Sequence, residues 1–306
     1  MFQNILVPLD GSRFAESALP LASRLAKSAL ARLHLVLAHR PAPVLVGAGE
    51  MMALPGDLGE ELRAQESGYL SDAAERVEQG GFGPVEFHEA DGLAGPELCD
   101  EAARLGADLI VMASHGRGGV RRFWLGSVAD YLVRHLSTPV LIVHPGREGE
   151  SPDDRPIRNV LVAMDLSTDS EAILGPVTAL AQVTQAHVTL LHAVGSYEKM
   201  DVPAVPFPVL KDPAQLGKYE REAQRILDGL AARLRERGVS TAARLVTGTS
   251  PASTLLETLQ QDPYDLIALT THGAGGVRRL LLGSVADKVI RRAVKPVLVM
   301  RPAPAA

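Results

Sequence analysis

Residues 114–130 read SHGRGGVRRFWLGSVAD, and residues 271–287 read THGAGGVRRLLLGSVAD. Thirteen of these 17 aligned positions are identical; only Ser114/Thr271, Arg117/Ala274, Phe123/Leu280 and Trp124/Leu281 differ. A shared amphipathic pattern would preserve polarity, not individual glycines, so the match points to duplication. It extends outward in both directions. Asp10 in NILVPLDGS aligns with Asp165 in NVLVAMDLS at an offset of 155, and His34 and His39 align with His187 and His192 at 153. Asp108 aligns with Asp265, Gly126-Ser127 with Gly283-Ser284, and STPVLIVHP (137–145) with VKPVLVMRP (294–302), each at 157. The order is kept and the offset drifts by a few residues, so the whole chain is a tandem repeat.

At 306 residues the chain is about twice a common domain length. The charged, Pro- and Gly-containing stretch PGREGESPDDRPIR (145–158) lacks apolar periodicity and reads as a connector. The expected division is residues 1–146, a linker at 147–157, and residues 158–306. A net charge of −5 gives no electrostatic reason to bind nucleic acid or an anionic membrane. The single cysteine excludes an intrachain disulfide and a cysteine-rich metal site, and no dedicated metal cluster is legible. MFQNILVPLDGS lacks a basic n-region and a long apolar h-region, so no signal peptide is expected. No apolar run approaches the ~18 residues of a membrane helix. A cytoplasmic location follows as an expectation.

Each copy alternates short apolar runs with helical patterns. Strands are expected near 3–9, 33–39, 85–90, 108–113 and 139–144, and again near 158–164, 187–194, 241–246, 265–270 and 296–301. Runs such as ILV, LIVM and VLIV are nearly continuous, as in parallel strands covered on both faces. Between them, Phe14, Ala18, Leu21 and Leu25 recur at helical spacing, with Pro20 expected to kink that helix. Further helices are read at 61–79, 96–105 and 126–136. The stretches 41–59 and 195–213 read as irregular. The alternation specifies α/β architecture with parallel sheets.

In such sheets ligands sit at the carboxyl ends of the strands. Asp10 and Asp165 end the first strand of each copy, and the glycine phrase follows the fourth. Gly116, Gly118 and Gly119 let backbone N–H groups approach a ligand, and Gly126-Ser127 opens a helix, with Ser127 near its N-cap, whose amides and dipole favour an anion. Three charge-assisted hydrogen bonds at roughly 1.5–3 kcal/mol each approach the ~8 kcal/mol of a micromolar complex. Neither GxxxxGK[ST] nor a GxGxxG after the first strand is present, so P-loop and dinucleotide chemistry are not indicated.

The opening ILVPLDGS, the LAH/LLH second strand, ADLIVMASHGRGG and the GSVAD…PVLIV ending resemble the universal stress protein family in its tandem, two-domain form. The resemblance covers nearly all of both halves. It implies two flavodoxin-like, HUP-type open five-stranded parallel sheets with strand order 3-2-1-4-5, paired through their last strands as an intrachain pseudo-dimer. Nucleotide-binding members carry Gly-x2-Gly-x9-Gly-Ser/Thr after strand four. Here the second and third glycines fall on Gly116 and Gly126, and on Gly273 and Gly283, while Ala113 and Thr270 replace the first.

The resemblance implies an adenine-nucleotide site, with ATP, ADP or AMP as ligand and Mg2+ accompanying the phosphates. In the first half it assigns Pro8, Leu9, Asp10, Arg40, Met112, Ala113, His115, Gly116, Arg117, Gly126, Ser127 and Val128. In the second it assigns Ala163, Met164, Asp165, Ala193, Thr270, His272, Gly273, Gly283, Ser284 and Val285. Asp10 and Asp165 would accept hydrogen bonds from ribose or the adenine edge, or else serve as turn and cap residues. Arg117, absent from the second copy, favours the first for phosphates, although Arg40 stands where an apolar adenine contact is expected.

The expected role is a stress-response, nucleotide-dependent regulator with at most weak ATP hydrolysis. A scaffold that binds no nucleotide stays open, as does a slow ATPase, or a hydrolase using Ser114, His115 and Asp108. A homodimer and an unidentified protein partner are also compatible with the family.

Overall fold

A computed structural model describes residues 1–39, 44–46, 50–52, 56–82, 84–114, 125–144, 156–195, 213–271 and 282–303. Two compact units result: Phe2–Asp154, and Arg155–Ala306 together with Met1.

In the first unit, β1 (Asn4–Leu9) lies between β2 (Arg32–His39) and β6 (Leu109–Ala113); β5 (Val85–Asp91) flanks β2 and β7 (Val140–Val143) flanks β6. All these pairs are parallel, with Leu9 opposite Leu37, Ile5 opposite Leu109 and Ala113 opposite Val143. The strand order is therefore 3-2-1-4-5 in chain order. The second unit repeats it with β8 (Asn159–Ala163), β9 (His187–Gly195), β10 (Thr241–Gly248), β11 (Leu266–Thr270) and β12 (Val297–Met300), ordered β10-β9-β8-β11-β12. The central runs are buried along their length because helices cover both faces of a parallel sheet. β5 and β10, each at an edge of its unit's sheet, consist mainly of exposed and half-buried residues instead.

The helix expected around Pro20 is two helices. α1 (Arg13–Glu16) ends at Ser17, and α2 (Leu19–Ala29) restarts with Pro20 in its first turn. Proline lacks an N–H, which costs nothing where no intrahelical acceptor exists, so it starts a helix more readily than it bends one. The stretch 41–59 contains a small antiparallel pair, β3 (Val44–Val46) and β4 (Glu50–Met52), and α3 (Gly56–Gln79) begins before residue 61. Three-residue strands are too short for alternation to reveal them. The corresponding 195–213 lies outside the described residues except for Gly195 and Pro213, which ends the gap as the first residue of α8 (Pro213–Glu236).

The remaining helices are α4 (Ala94–Arg104) and α5 (Ser127–His135) in the first unit. The second adds α6 (Thr168–Glu171), α7 (Leu174–Thr184), α9 (Pro251–Gln261) and α10 (Ser284–Arg292). Asp108 and Asp265 fasten the amino ends of the sheets. Asp108 accepts from the amides of Gln3 (2.6 Å) and Asn4 (3.3 Å), and Asp265 from those of Arg158 (2.8 Å) and Asn159 (2.9 Å).

Helix α5 is positioned by close packing on α4. A Cβ added to Gly95 would lie 2.7 Å from Cγ and Cδ1 of Tyr131, whose ring stacks on His135 at 3.9 Å. Gly95→Ala is expected to destabilise the protein by about 1–3 kcal/mol through overpacking, with most of the loss recovered in Gly95→Ala/Tyr131→Ala. Urea unfolding of the two variants checks this.

Candidate functional site

Parallel pairing brings Leu9, His39 and Ala113 to one rim of the first sheet, and Ala163, His192 and Thr270 to the same rim of the second. Strand order reverses between β1 and β6, and between β8 and β11, which is where open sheets form a crevice.

Asp10 follows β1 directly. Its Oδ1 accepts from the Ser12 amide (2.9 Å) and hydroxyl (2.6 Å), and Ser12 caps α1 by accepting from the Ala15 amide (3.2 Å). Asp165 repeats this with the Ser167 amide (3.0 Å) and hydroxyl (2.5 Å), and Ser167 caps α6 through Ser170 (3.2 Å). Both aspartates thus shape the turn, whatever else they bind. The turn requires left-handed backbone: Gly11 adopts φ +80°, and its counterpart Leu166 adopts φ +66°. Leucine there stores strain of about 1–2 kcal/mol that glycine avoids.

On the other side of the crevice, the Ser114 amide donates to the Val143 carbonyl (2.8 Å) and the Ser114 carbonyl accepts from the Gly126 amide (2.7 Å). The second half makes the same bonds, Thr271 to Met300 (3.0 Å) and Gly283 to Thr271 (2.8 Å). The end of the fourth strand and the start of the next helix are pinned together. Gly126 and Gly283 are the N-caps, both at φ −59°, and Ser127 and Ser284 are the first helical residues. Ser127 thus sits beside the cap, as expected, and no side chain closes the helix. The first intrahelical acceptor, the Gly126 carbonyl, serves Asp130, so the amides of Ser127, Val128 and Ala129 have no intrahelical partner. Ser284, Val285 and Ala286 stand identically, with Gly283 accepting from Asp287.

Of the remaining residues assigned from sequence, Pro8, Leu9, Met112, Ala113, Ala163, Met164, Ala193 and Thr270 lie in or directly after the strand ends at this rim. Arg40, His115, Gly116, Arg117, His272 and Gly273 lie outside the described residues. The Ser114/His115/Asp108 hydrolase arrangement is untenable. Asp108 precedes β6 and Ser114 follows it, so an extended strand holds them about 20 Å apart.

Three side chains at this rim were not anticipated. His39 Nδ1 meets Glu66 of α3. One turn further along α3, Tyr69 brings a buried hydroxyl beside the Glu16 carboxylate, with Asp10 within electrostatic reach. Burial raises its pKa, and the Glu16 and Asp10 carboxylates raise it further. In the second half, His192 Nδ1 donates to the Met164 carbonyl (2.8 Å), and Nε2 accepts from the Tyr219 hydroxyl (2.8 Å). Tyr219 aligns with Glu66 at 153, the offset that relates the two histidines. That shared spacing was the available signal.

His192 is held below the ordinary histidine pKa of 6.5, chiefly by burial, against the Met164 carbonyl and the Asp165 charge. The unfolded chain therefore binds more protons than the folded one. The associated stability is present above pH 6.5 and is lost as pH falls through the lowered value. His34 and His88 are depressed in the same direction. The melting temperature is expected to fall between about pH 7.5 and about pH 5.5, and less steeply in His192→Gln. Calorimetry across that range checks the slope.

The sequence profile described as the Universal stress protein family matches residues 1–144 and 156–301. A universal stress protein of Mycobacterium tuberculosis is 30% identical over 307 residues, covering 97% of this chain and 96% of the relative. Another from the same organism is 33% identical over 197 residues, covering 64% of this chain and 62% of that relative's length. The crystal structure of a universal stress protein from Archaeoglobus fulgidus superimposes with a TM-score of 0.70 at 18% identity, covering 98% of each chain. No helix among the described residues is long and apolar enough to cross a membrane. With two family matches in series and a duplicated 3-2-1-4-5 sheet, the chain belongs to the universal stress protein family.

Proposed function

We propose that each half, 1–146 and 158–306, binds an adenine nucleotide in the crevice between its first and fourth strands, and that occupancy regulates the protein. The observation that carries this reading is the pinned turn into α5 and α10. It presents three consecutive amides, Ser127-Val128-Ala129 or Ser284-Val285-Ala286, at the positive end of a helix beside the sheet's switch point. The repetition of this geometry in both halves supports a binding role over a chance cap.

The phosphates occupy these amides, with Mg2+ accompanying them; the family resemblance also assigns Gly116 and Arg117, or Gly273, to the phosphates. The adenosine lies toward the first strand. There Asp10 or Asp165 accepts from ribose, and the backbones of Pro8–Leu9 and Ala163–Met164 lie beside the base. ATP, ADP and AMP share the adenosine contacts and differ in how far they engage the helix amides.

Gly126→Asp and Gly283→Asp separate binding from folding. Both caps have negative φ, so Asp is sterically admissible there and is itself a favoured N-cap. It nevertheless sets a carboxylate where phosphate is to bind. Each variant is expected to keep its melting temperature and to lose one of two ATP sites, with affinity at that site falling at least about tenfold, a change of about 1.4 kcal/mol. Isothermal titration with ATP, ADP and AMP measures this. Absence of binding to the unmodified chain at millimolar nucleotide overturns the proposal and favours a scaffold.

A further inference from the structure

At the opposite, amino-terminal rim of the first sheet, three potential metal donors converge on one face of β2 and β5. His34 and Glu86 are register partners, and His88 follows Glu86 by two residues, which returns it to the same face. His34 Nδ1 lies 3.2 Å from His88 Nε2 and 3.5 Å from Glu86 Oε2, and His88 Nε2 lies 3.9 Å from that oxygen. Atoms so spaced leave a point about 2 Å from each, the length of a Zn–N or Zn–O bond. We propose that His34, Glu86 and His88 form a binding site for a divalent transition-metal ion of the zinc class.

The surroundings prepare the donors. His34 Nε2 faces the Asn4 Oδ1 acceptor at 3.3 Å, while the Asn4 amide nitrogen donates to the Gly106 carbonyl at 3.4 Å. This places the His34 proton on Nε2 and leaves the Nδ1 lone pair directed into the cluster, the outer-sphere arrangement that orients metal-binding imidazoles. His34 is 3% exposed and His88 19%, so both imidazoles are held in place by the surrounding side chains. Glu86 is 51% exposed. It supplies charge and leaves a solvent-facing position for water, so the ion would have three protein donors and one exchangeable ligand.

Without metal, the same atoms form a hydrogen-bond chain. Arg104 Nη2 donates to His88 Nδ1 at 3.3 Å, which places the His88 proton on Nε2, directed at His34 Nδ1. A metal on His88 Nε2 moves that proton to Nδ1. The Arg104 donor must then withdraw, and Glu101, now paired with Arg104 at 2.5 Å, becomes the acceptor. Arg104 is thus a brake on metal binding. The second half lacks the site: His187 pairs with Ser240 at 2.8 Å, and Ala242 stands in the register position of His88.

The test is a Zn2+ titration of the metal-free full chain by calorimetry, with the Co2+ visible spectrum as an independent readout. One ion per chain is expected. Affinity should fall at least about tenfold in Glu86→Gln and in His88→Ala, and stay unchanged in His187→Ala. Glu86 and His88 are partly exposed, so these variants should fold, which circular dichroism verifies. Arg104→Gln should tighten binding several-fold. No Zn2+ binding at about 100 µM, or binding indifferent to Glu86→Gln and His88→Ala, overturns the site; weaker or equal binding in Arg104→Gln overturns the tautomer exchange on which it is built.

Discussion

Everything in this protein hangs on the parallel pairing of one buried strand with two neighbours. β1 gives its backbone groups to β2 on one side and β6 on the other, and β8 does the same with β9 and β11. With both faces under helices, these strands bury their side chains almost completely and carry no chemistry. Parallel pairing also gathers every strand's carboxyl end at one rim and every amino end at the other. Function is therefore confined to the rims, where loops and helix ends need not serve the core.

The two halves share that frame and differ in what they place on it. The first has glycine in the left-handed turn after its aspartate, an acidic partner for His39 and a buried tyrosine hydroxyl beside the Glu16 and Asp10 carboxylates. The second has a leucine in the same turn and a histidine fixed as a neutral donor to a backbone carbonyl. These are differences in charge and hydrogen-bond capacity on one backbone plan. Duplication preserved the geometry, and the side chains diverged on top of it.

The opposite rim differs even more. His34, Glu86 and His88 converge beside Arg104 and Glu101 in the first half, while the second has a His–Ser pair. One rim is built from backbone amides and suits an anion. The other, in the first half, is built from imidazoles and a carboxylate and suits a cation. A single sheet can offer both because its ends are separated by the length of its buried strands.

The sequence by itself determined the duplication, the position of nearly every strand, and their α/β class. Continuous apolar runs, helical periodicity and a repeated glycine phrase are local signals that need no partner to be read. It also located Gly126-Ser127 and Gly283-Ser284 at the start of a helix; which residue of each pair is the cap depends on where the backbone leaves its extended conformation. Contacts between elements were decided only in three dimensions. Glu66 reaches His39 and Tyr219 reaches His192 because a helix lies across a strand end; His34 meets His88 because register aligns two strands some fifty residues apart. Periodicity reports which face a residue occupies, and only tertiary packing sets what stands opposite it.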